Sequence, residues 1–289
     1  MPRELERIGT ARFFPRSGKT KVPTLELPHS PHASGVSPVI IHYREFGSGK
    51  PLVILHGGWG YALYPFDRQI ATFENKFRIL IPDRSGYGQS SRINGEMPLD
   101  FHRRAASETL AFLEALGIEK ANLWGHSDGS VIAAMMGLMA PERCASLILE
   151  AFHYLRRKPG SRSFFERFSA HPEELSEDTR KVLAADHGED NWQTVLRRNC
   201  GVWFRIADSV RRPDEDLYDG RLGELRVPTL FLHGSLDPRT EPGEMEMVRQ
   251  ALPEATFRFI SNGKHSPHSE ADAWQECNEG ATEFLRGIR

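Results

Sequence analysis

A serine between two glycines is the feature of this sequence that is best suited to chemistry. It lies in the motif Gly-His-Ser-Asp-Gly at residues 125–129, after the apolar run 121–124 and before the apolar segment 131–136. This order predicts a strand, a sharp turn and a helix, with the Ser127 hydroxyl projecting from the top of a sheet. Glycine on both sides permits such a turn without a Cβ clash. An ordinary glycine-rich turn is the alternative, because five-residue patterns recur by chance.

Asp237 and His265 are the residues that complete a nucleophilic site around this serine. A serine hydroxyl is a weak nucleophile at neutral pH and needs a histidine base, which a carboxylate must orient. Asp237 follows the predicted strand 228–233, and His265 follows the predicted strand 256–260. The chain order and the position of each residue after a strand predict a Ser127–His265–Asp237 triad.

Two further residues are alternatives for members of this triad. His268 is a second histidine of the same loop, although Pro267 and the predicted start of the last helix favour His265 as the base. Glu150 ends an apolar strand and is an alternative acid to Asp237. An Asp-Pro turn and a surface-loop histidine are the purely structural interpretations of the two favoured residues.

Two backbone segments are predicted to bind the oxyanion that develops during acyl transfer. One N–H is expected from Asp128, the residue after the serine. The loop His-Gly-Gly-Trp-Gly at 56–60 is expected to supply the second, from Gly58 or, next in preference, from Trp59. A plain turn is the simpler interpretation of this loop. Its spacing fits neither a phosphate-binding loop nor a dinucleotide fingerprint.

Short apolar runs alternate with longer amphipathic segments along most of the chain. Strands are predicted at 39–43, 51–56, 77–82, 121–125, 145–149, 228–233 and 256–260, and helices at 100–116, 131–136 and 271–285. This alternation predicts an α/β fold whose mostly parallel sheet is covered on both faces. Such sheets place their sites at the carboxyl ends of the strands, where the triad residues are predicted to lie.

The segment 153–226 interrupts this pattern and separates two core strands by more than 70 residues. Helical runs are predicted within it at 163–168, 173–185 and 191–198. We interpret it as an inserted helical cap over the site. Some of its aromatic rings should form the core of the cap and others should face the substrate. The candidates for the substrate pocket are Trp192, Trp203 and Phe204.

The predicted organisation has three parts, which are an N-terminal extension over 1–37, an α/β core over 38–152 and 227–289, and the cap. Six basic residues lie within the first 21 positions: Arg3, Arg7, Arg12, Arg16, Lys19 and Lys21. A targeting peptide and a phosphate-binding arm are alternatives to the simpler interpretation of a solvated extension. His29 and His32 lie in a Pro/Ser-rich stretch that is typical of a surface connection rather than a metal site.

The composition excludes several classes of function. The chain has 289 residues, 39% of them hydrophobic, and a formal net charge of -2, so no bulk charge favours nucleic acid or a membrane surface. No apolar run approaches the roughly 20 residues of a membrane span, and the N-terminus has no apolar signal-peptide core. Three widely spaced cysteines favour a reducing, cytoplasmic location over a disulfide framework, and no metal site is expected. The oligomeric state is not predicted.

The sequence resembles members of the α/β-hydrolase superfamily that carry a canopy-type cap. The matching pieces are the loop 56–60, the segment 83–90 (DRSGYGQS), the 125–129 motif and the two partners of the serine. The resemblance covers residues 38–289 apart from the cap. It implies an eight-stranded, mostly parallel sheet and a Ser-His-Asp mechanism without a cofactor, and it gives the segment 83–90 a structural role. Ser130, where many relatives have a second glycine, is a departure.

The resemblance implies a serine hydrolase that cleaves a carboxylic ester, a lactone or a thioester of a small or medium-sized, partly apolar molecule through an acyl-enzyme. An aspartate at position 127 would instead be typical of an epoxide hydrolase or a haloalkane dehalogenase.

Three alternative functions stay open. A carbon–carbon bond hydrolase of the meta-cleavage type needs groups for a dienoate carboxylate, for which the candidates are Arg84, Arg156 and Arg197. An aminopeptidase of the proline-iminopeptidase type needs cap carboxylates, for which the candidates are Glu173, Glu174 and Glu177. A non-catalytic receptor on the same fold is the third. The sequence does not predict which substrate is cleaved.

Overall fold

An eight-stranded sheet with helices on both faces organises residues 23–288, which are the residues that the computed structural model describes. The strands are β1 (Thr24–Leu27), β2 (Val39–Phe46), β3 (Lys50–Leu55), β4 (Phe77–Pro82), β5 (Ala121–His126), β6 (Cys144–Glu150), β7 (Thr229–Gly234) and β8 (Thr256–Ile260). The helices are α1 (Asp67–Phe73), α2 (Phe101–Ala115), α3 (Asp128–Met139), α4 (Pro159–Ala170), α5 (Glu177–His187), α6 (Trp192–Asp208), α7 (Glu244–Ala251) and α8 (Trp274–Arg286).

The strand order across the sheet is β1-β2-β4-β3-β5-β6-β7-β8. Strands β1 and β2 pair antiparallel, as do β2 and β4, whereas every pair from β4 to β8 is parallel. The predicted eight-stranded, mostly parallel sheet is therefore confirmed. Because the carboxyl ends of the parallel strands meet at one edge, the loops after β3, β5, β6, β7 and β8 converge there.

Both faces of the sheet are buried, as the apolar runs of its strands predict. Alternate residues of β3 enter different core clusters, since Val53 and Leu55 pack on the side of α2 and α3 while Leu52 and Ile54 pack on the side of α1 and α8. All four side chains are fully buried. This two-sided packing holds the carboxyl ends of the strands, and the loops that follow them, in fixed positions.

The N-terminal part of the described chain differs from its prediction. The sequence predicts an extension over residues 1–37, but Thr24–Leu27 forms the edge strand β1 and pairs with β2. This strand has only two apolar residues in four, so its sequence pattern is too weak to predict it. The prediction of a surface position was wrong for His32, which is 3% exposed, and agrees with the exposed His29.

The insertion between β6 and β7 contains two short 3-10 helices and three α-helices, α4, α5 and α6. The first and last are longer than the sequence pattern predicts, and α6 continues to Asp208 through Gly201. The apolar side chains of the insertion, among them Phe168, Leu183 and Leu196, form a separate cluster with Trp59 of the loop after β3. The insertion is thereby packed onto the edge of the sheet where the strand ends converge.

Candidate active site

Ser127 occupies a strained turn between β5 and α3. Its φ is 54° and its ψ is -121°, a conformation that is uncommon for a residue with a side chain. A Cβ on Gly129 would lie 2.0 Å from the carbonyl oxygen of Leu55, and one on Gly125 would lie 2.1 Å from the carbonyl oxygen of Gly129. Only glycine fits at these two positions, so the motif gives the strand, sharp turn and helix that it predicts.

The loops after β5, β7 and β8 bring Ser127, Asp237 and His265 into one chain of hydrogen bonds. The Nε2 atom of His265 lies 3.0 Å from Ser127 Oγ, and its Nδ1 atom lies 3.0 Å from both carboxylate oxygens of Asp237. A carboxylate only accepts, so Nδ1 carries the ring proton and Nε2 accepts the proton of the serine hydroxyl. This is the direction of proton transfer that activates a serine.

Asp237 is held in its ionised form. Burial of this side chain raises its pKa, but the charge and hydrogen bond of His265 outweigh burial and hold that pKa well below its ordinary value. The N–H of Arg239 donates to Asp237 Oδ1 at 2.8 Å, within the Asp-Pro turn. Asp237 is therefore suited to stabilise a positive charge on His265.

Glu150 and His268, the alternative acid and base, pair with each other. His268 Nδ1 lies 2.7 Å from Glu150 Oε1, and its Nε2 lies 3.0 Å from the carbonyl oxygen of Tyr64. The indole N–H of Trp124 donates to the other oxygen of Glu150 at 2.9 Å. Burial raises the pKa of Glu150, but His268 lowers it to about 2. The backbone carbonyl oxygen of Glu150 accepts from the N–H of Ser127 at 2.9 Å, but within the described chain neither side chain of the pair bonds to the Ser127 hydroxyl, so the pair stabilises the interior.

His126, the residue directly before the serine, is hydrogen-bonded to the loop that carries the base. Its Nε2 atom lies 2.9 Å from the carbonyl oxygen of His265 and 3.0 Å from Ser266 Oγ. Burial, together with the charge that His268 can carry, lowers the pKa of His126 to about 3. A neutral imidazole thus joins the serine turn to the base loop.

The loop after β3, predicted to supply an oxyanion donor, lies directly beside the serine. A Cβ on Gly57 would lie 3.3 Å from Ser127 Cβ, and one on Gly58 would lie 2.5 Å from the side-chain oxygen of Asn199. The ring of Trp59 packs into the cap, where it stacks on Phe164 at 5.3 Å. This position fits the predicted role of the loop.

The side chain of Asp128 is engaged by the cap, which the sequence did not indicate. Its Oδ1 accepts from the indole N–H of Trp203 at 3.1 Å and lies 3.3 Å from His102 Nε2, and its Oδ2 accepts from Asn199 at 2.7 Å. Burial raises the pKa of Asp128, but the hydrogen bond and charge of His102 hold it well below its ordinary value. Helix α6 is therefore tied to the first residue of α3.

His153 is a residue of the site that the sequence analysis missed. Its Nε2 atom lies 3.3 Å from Ser127 Oγ, and its ring stacks near that of His265 with 5.6 Å between centroids. In the sequence, His153 marks only the predicted start of the cap. The available signal was its position three residues after β6, the strand next to β5.

Comparison with known proteins identifies the family of this chain. A family model described as the alpha/beta hydrolase fold matches residues 50–168. A 2-hydroxy-6-oxo-6-phenylhexa-2,4-dienoate hydrolase of Comamonas testosteroni is 32% identical, with 87% of this chain and 93% of that protein aligned. The chain belongs to the α/β-hydrolase family.

Other relatives of this α/β hydrolase differ in their chemistry. The human serine hydrolase BPHL is 27% identical, with 87% of this chain and 84% of that protein aligned. The structure of a thermophilic esterase from Thermogutta terrifontis is similar in fold, with a TM-score of 0.67, 22% identity and coverage of 92% of this chain and 99% of that one. The family assignment makes this chain a hydrolase and leaves its substrate unassigned.

The predicted pocket residues of this α/β hydrolase have different positions. Trp203 and Phe204 line a cavity of about 130 Å³ together with Arg157, Arg162 and Phe165. Trp192 does not border this cavity. It packs in the apolar cluster of the cap that includes Trp59, and its role in the substrate pocket stays a prediction.

The other side chains offered as substrate contacts are engaged elsewhere. Arg84 is buried and donates to the carbonyl oxygen of Gly57 at 3.0 Å, while Arg156 donates to that of Asp216 at 2.7 Å. Arg197 bonds to Gln193 on the exposed side of α6. The three cap carboxylates are paired with His171, Arg167 and Lys181 at the surface: Glu173, Glu174 and Glu177.

Three further predictions concern features outside the triad. Within residues 23–288, no cluster of three His, Cys, Asp or Glu side chains has the arrangement of a metal site. The helices of that same stretch are all too short or too polar to cross a bilayer. The basic residues between positions 3 and 21 lie outside the described residues.

Proposed function

We propose that this hydrolase cleaves a carboxylic ester, a lactone or a thioester, with Ser127 as the nucleophile. The observation that carries the proposal is the continuous hydrogen-bonded chain from Ser127 Oγ through His265 to Asp237, with both links at 3.0 Å. A serine held at positive φ at the start of a helix, with a base in reach, is suited to nucleophilic attack on a carbonyl carbon.

In the proposed reaction, Ser127 Oγ attacks the carbonyl carbon while its proton moves to His265 Nε2. The carbonyl electron pair moves to the oxygen, which binds the N–H groups of Asp128 and of Gly58 or Trp59. The tetrahedral intermediate then expels the alcohol or thiol, which takes the proton from His265. Water deacylates the enzyme through the same histidine, and no cofactor takes part.

Acyl cleavage is also supported by the names of similar proteins. The relatives include a pimeloyl-[acyl-carrier protein] methyl ester esterase of Vibrio parahaemolyticus, and the structures of similar fold include an enol-lactonase from Burkholderia xenovorans. Trp203, whose indole N–H bonds to Asp128, also borders a cavity with Phe165 and Phe204, and this apolar lining suits a partly apolar acyl or alcohol group.

A carbon–carbon bond hydrolase is the second candidate function. It is favoured by the 32% identity to the Comamonas dienoate hydrolase. It requires cations for the substrate carboxylate, and Arg157 and Arg162 border the cavity next to Trp203. Arg162 is paired with Glu166 and Asp208, and these carboxylates would compete with a substrate carboxylate for its guanidinium group.

The test is hydrolysis of p-nitrophenyl esters from acetate to decanoate, with Ser127→Ala as the control. Turnover with an optimum chain length, lost in the variant, supports an ester hydrolase. Labelling of Ser127 by a fluorophosphonate without ester turnover favours carbon–carbon cleavage instead. A wild-type protein that neither turns over esters nor is labelled at Ser127 contradicts both candidates and favours a non-catalytic member of the family.

A further inference from the structure

Ser127 Oγ is in contact with two imidazole rings. Nε2 of His265 lies at 3.0 Å and Nε2 of His153 lies at 3.3 Å. The rings are inclined by only 24°, so they approach the hydroxyl side by side. The described catalytic chain uses one of these rings and gives the second no role.

The protons available at this contact define what the second ring can do. The serine hydroxyl has one proton, and it is donated to His265 Nε2, because the other nitrogen of His265 donates to Asp237. Ser127 Oγ can then meet a second nitrogen only as an acceptor. The contact with His153 is therefore a hydrogen bond when His153 Nε2 carries the ring proton.

The environment of His153 keeps its ring neutral. The residue is 6% exposed. Burial, then Lys158 and His265, hold the pKa of His153 well below its ordinary value against the opposing charges of Asp237 and Asp128. A neutral ring with its proton on Nε2 has a bare Nδ1, and within residues 23–288 that buried Nδ1 has no hydrogen-bond partner. The opposite tautomer would bury an unsatisfied N–H and leave two acceptors competing for one serine proton.

The backbone around His153 fixes the ring in this position. The chain turns sharply after β6, where Ala151 has a φ of 49°. The hydroxyl of Tyr218 donates to the carbonyl oxygen of His153 at 3.0 Å, and the ring of Trp203 packs edge-on at 5.2 Å. Because the backbone of His153 is hydrogen-bonded and its ring is packed, the ring provides a preorganised donor rather than a mobile one.

We propose that His153 is a further catalytic residue, whose Nε2–H donates to Ser127 Oγ and directs the serine proton toward His265. This proposal rests on the proposed function of Ser127. In deacylation, the bond between the carbonyl carbon and Oγ breaks, the electron pair moves to Oγ, and His265 returns its proton there. His153 keeps its proton throughout and stabilises the negative charge that develops on Oγ.

Two amide variants separate this role from a purely structural one. The amide nitrogen of glutamine lies near the position of a histidine Nε2, so His153→Gln retains a donor toward Ser127. The amide of asparagine instead lies near the position of Nδ1, so His153→Asn keeps polarity and loses the donor. His153→Leu removes both the donor and the polarity of the side chain. His32→Gln is the matched control, because His32 is another buried histidine without hydrogen-bonded ring nitrogens in the described chain.

The measurements are the rate of Ser127 labelling by a fluorophosphonate and the burst kinetics with p-nitrophenyl acetate, with Ser127→Ala as the blank. We expect labelling and deacylation to slow about tenfold in His153→Leu and His153→Asn, as for loss of one neutral hydrogen bond, and about twofold in His153→Gln. His32→Gln should label at the wild-type rate. A thermal unfolding curve for each variant gives the folded fraction.

The outcomes divide cleanly between the two proposals. A wild-type rate in His153→Leu, or equal rates in the glutamine and asparagine variants, overturns the role of His153 while the function of Ser127 stands. If the leucine variant fails to fold, the comparison of the glutamine and asparagine variants still tests whether His153 acts as a donor to Ser127. A wild-type protein that is not labelled at Ser127 overturns the proposed function and with it the role of His153.

Discussion

The indole N–H of Trp203 donates to Asp128 Oδ1 at 3.1 Å, so the cap is hydrogen-bonded to the residue that follows the nucleophile. Asn199, one turn earlier on α6, donates to the other oxygen of Asp128 at 2.7 Å. Asp128 is 1% exposed, so its charge depends on these donors in place of water. The position of α6 and the geometry at Ser127 are therefore coupled.

Trp203→Phe should destabilise the protein and slow acylation together. Phenylalanine keeps an aromatic ring, although a smaller one, but the buried carboxylate of Asp128 loses one donor, which costs about 1–3 kcal/mol. Urea unfolding should give this loss in the free energy of unfolding, and kcat for a p-nitrophenyl ester should fall about tenfold. Trp274→Phe, at a partly exposed position of α8, is the control. An equal free energy of unfolding for the two variants would show that the hydrogen bond from Trp203 to Asp128 contributes nothing to stability.

Asp237→Asn should lower kcat by about 10⁴-fold with little change in fold, because an amide cannot hold His265 in the required tautomer. Glu150→Gln should instead lower the stability of the fold with little change in kcat, because Glu150 pairs with the buried His268 and not with His265. Esterase assays and thermal unfolding of both variants test this contrast. An Asp237→Asn variant that keeps most of its activity would reassign the acid to Glu150.

Gly129→Ala should prevent the turn at Ser127 from forming. The added Cβ would meet the carbonyl oxygen of Leu55 at 2.0 Å, and backbone cannot move aside as a side chain does. We expect loss of soluble, active protein. Gly201→Ala is the matched control, because nothing lies within 4 Å of its Cβ and alanine in a helix interior gains about 0.5–1 kcal/mol. An active Gly129→Ala variant would contradict the geometry described for the turn.

The sheet and the triad residues could be predicted because their signals are local. Ser127, Asp237 and His265 each follow an apolar strand, and the parallel sheet brings such positions to one edge. His153 follows β6 in the same way, but it reaches the serine through a positive φ at Ala151. Alanine rarely adopts that conformation, so the residue types give no sign of the turn.

The pocket could not be predicted because the sequence does not fix how α6 is placed. Trp192 and Trp203 are eleven residues apart, which puts them on similar faces of the helix and about 16 Å apart along it. Only one end of such a helix lies over the serine. The structure places Trp203 there and buries Trp192 in the cap. The periodicity of the sequence is the same for either placement.

The protein should lose stability as the pH falls below 6.5. Burial holds the pKa of His126 at about 3 in the folded protein, whereas an unfolded histidine titrates near 6.5. Between these values the unfolded chain binds a proton at His126 that the folded protein does not, so this histidine alone lowers the free energy of unfolding by about 1 kcal/mol per pH unit. Other buried histidines with a lowered pKa add to the total slope: His32, His56, His102, His153 and His233. Urea unfolding at pH 7.0, 5.5 and 4.5 measures this slope.

His126→Gln isolates the share of that slope that belongs to one buried histidine. The variant cannot take up the proton, so its slope between pH 6.5 and 4.5 should be shallower than that of the wild type by about 1 kcal/mol per unit. His29→Gln, at an exposed histidine, should leave the slope unchanged. Parallel slopes for His126→Gln and the wild type would mean that His126 titrates alike in the folded and unfolded states, which its buried bonds to His265 and Ser266 argue against.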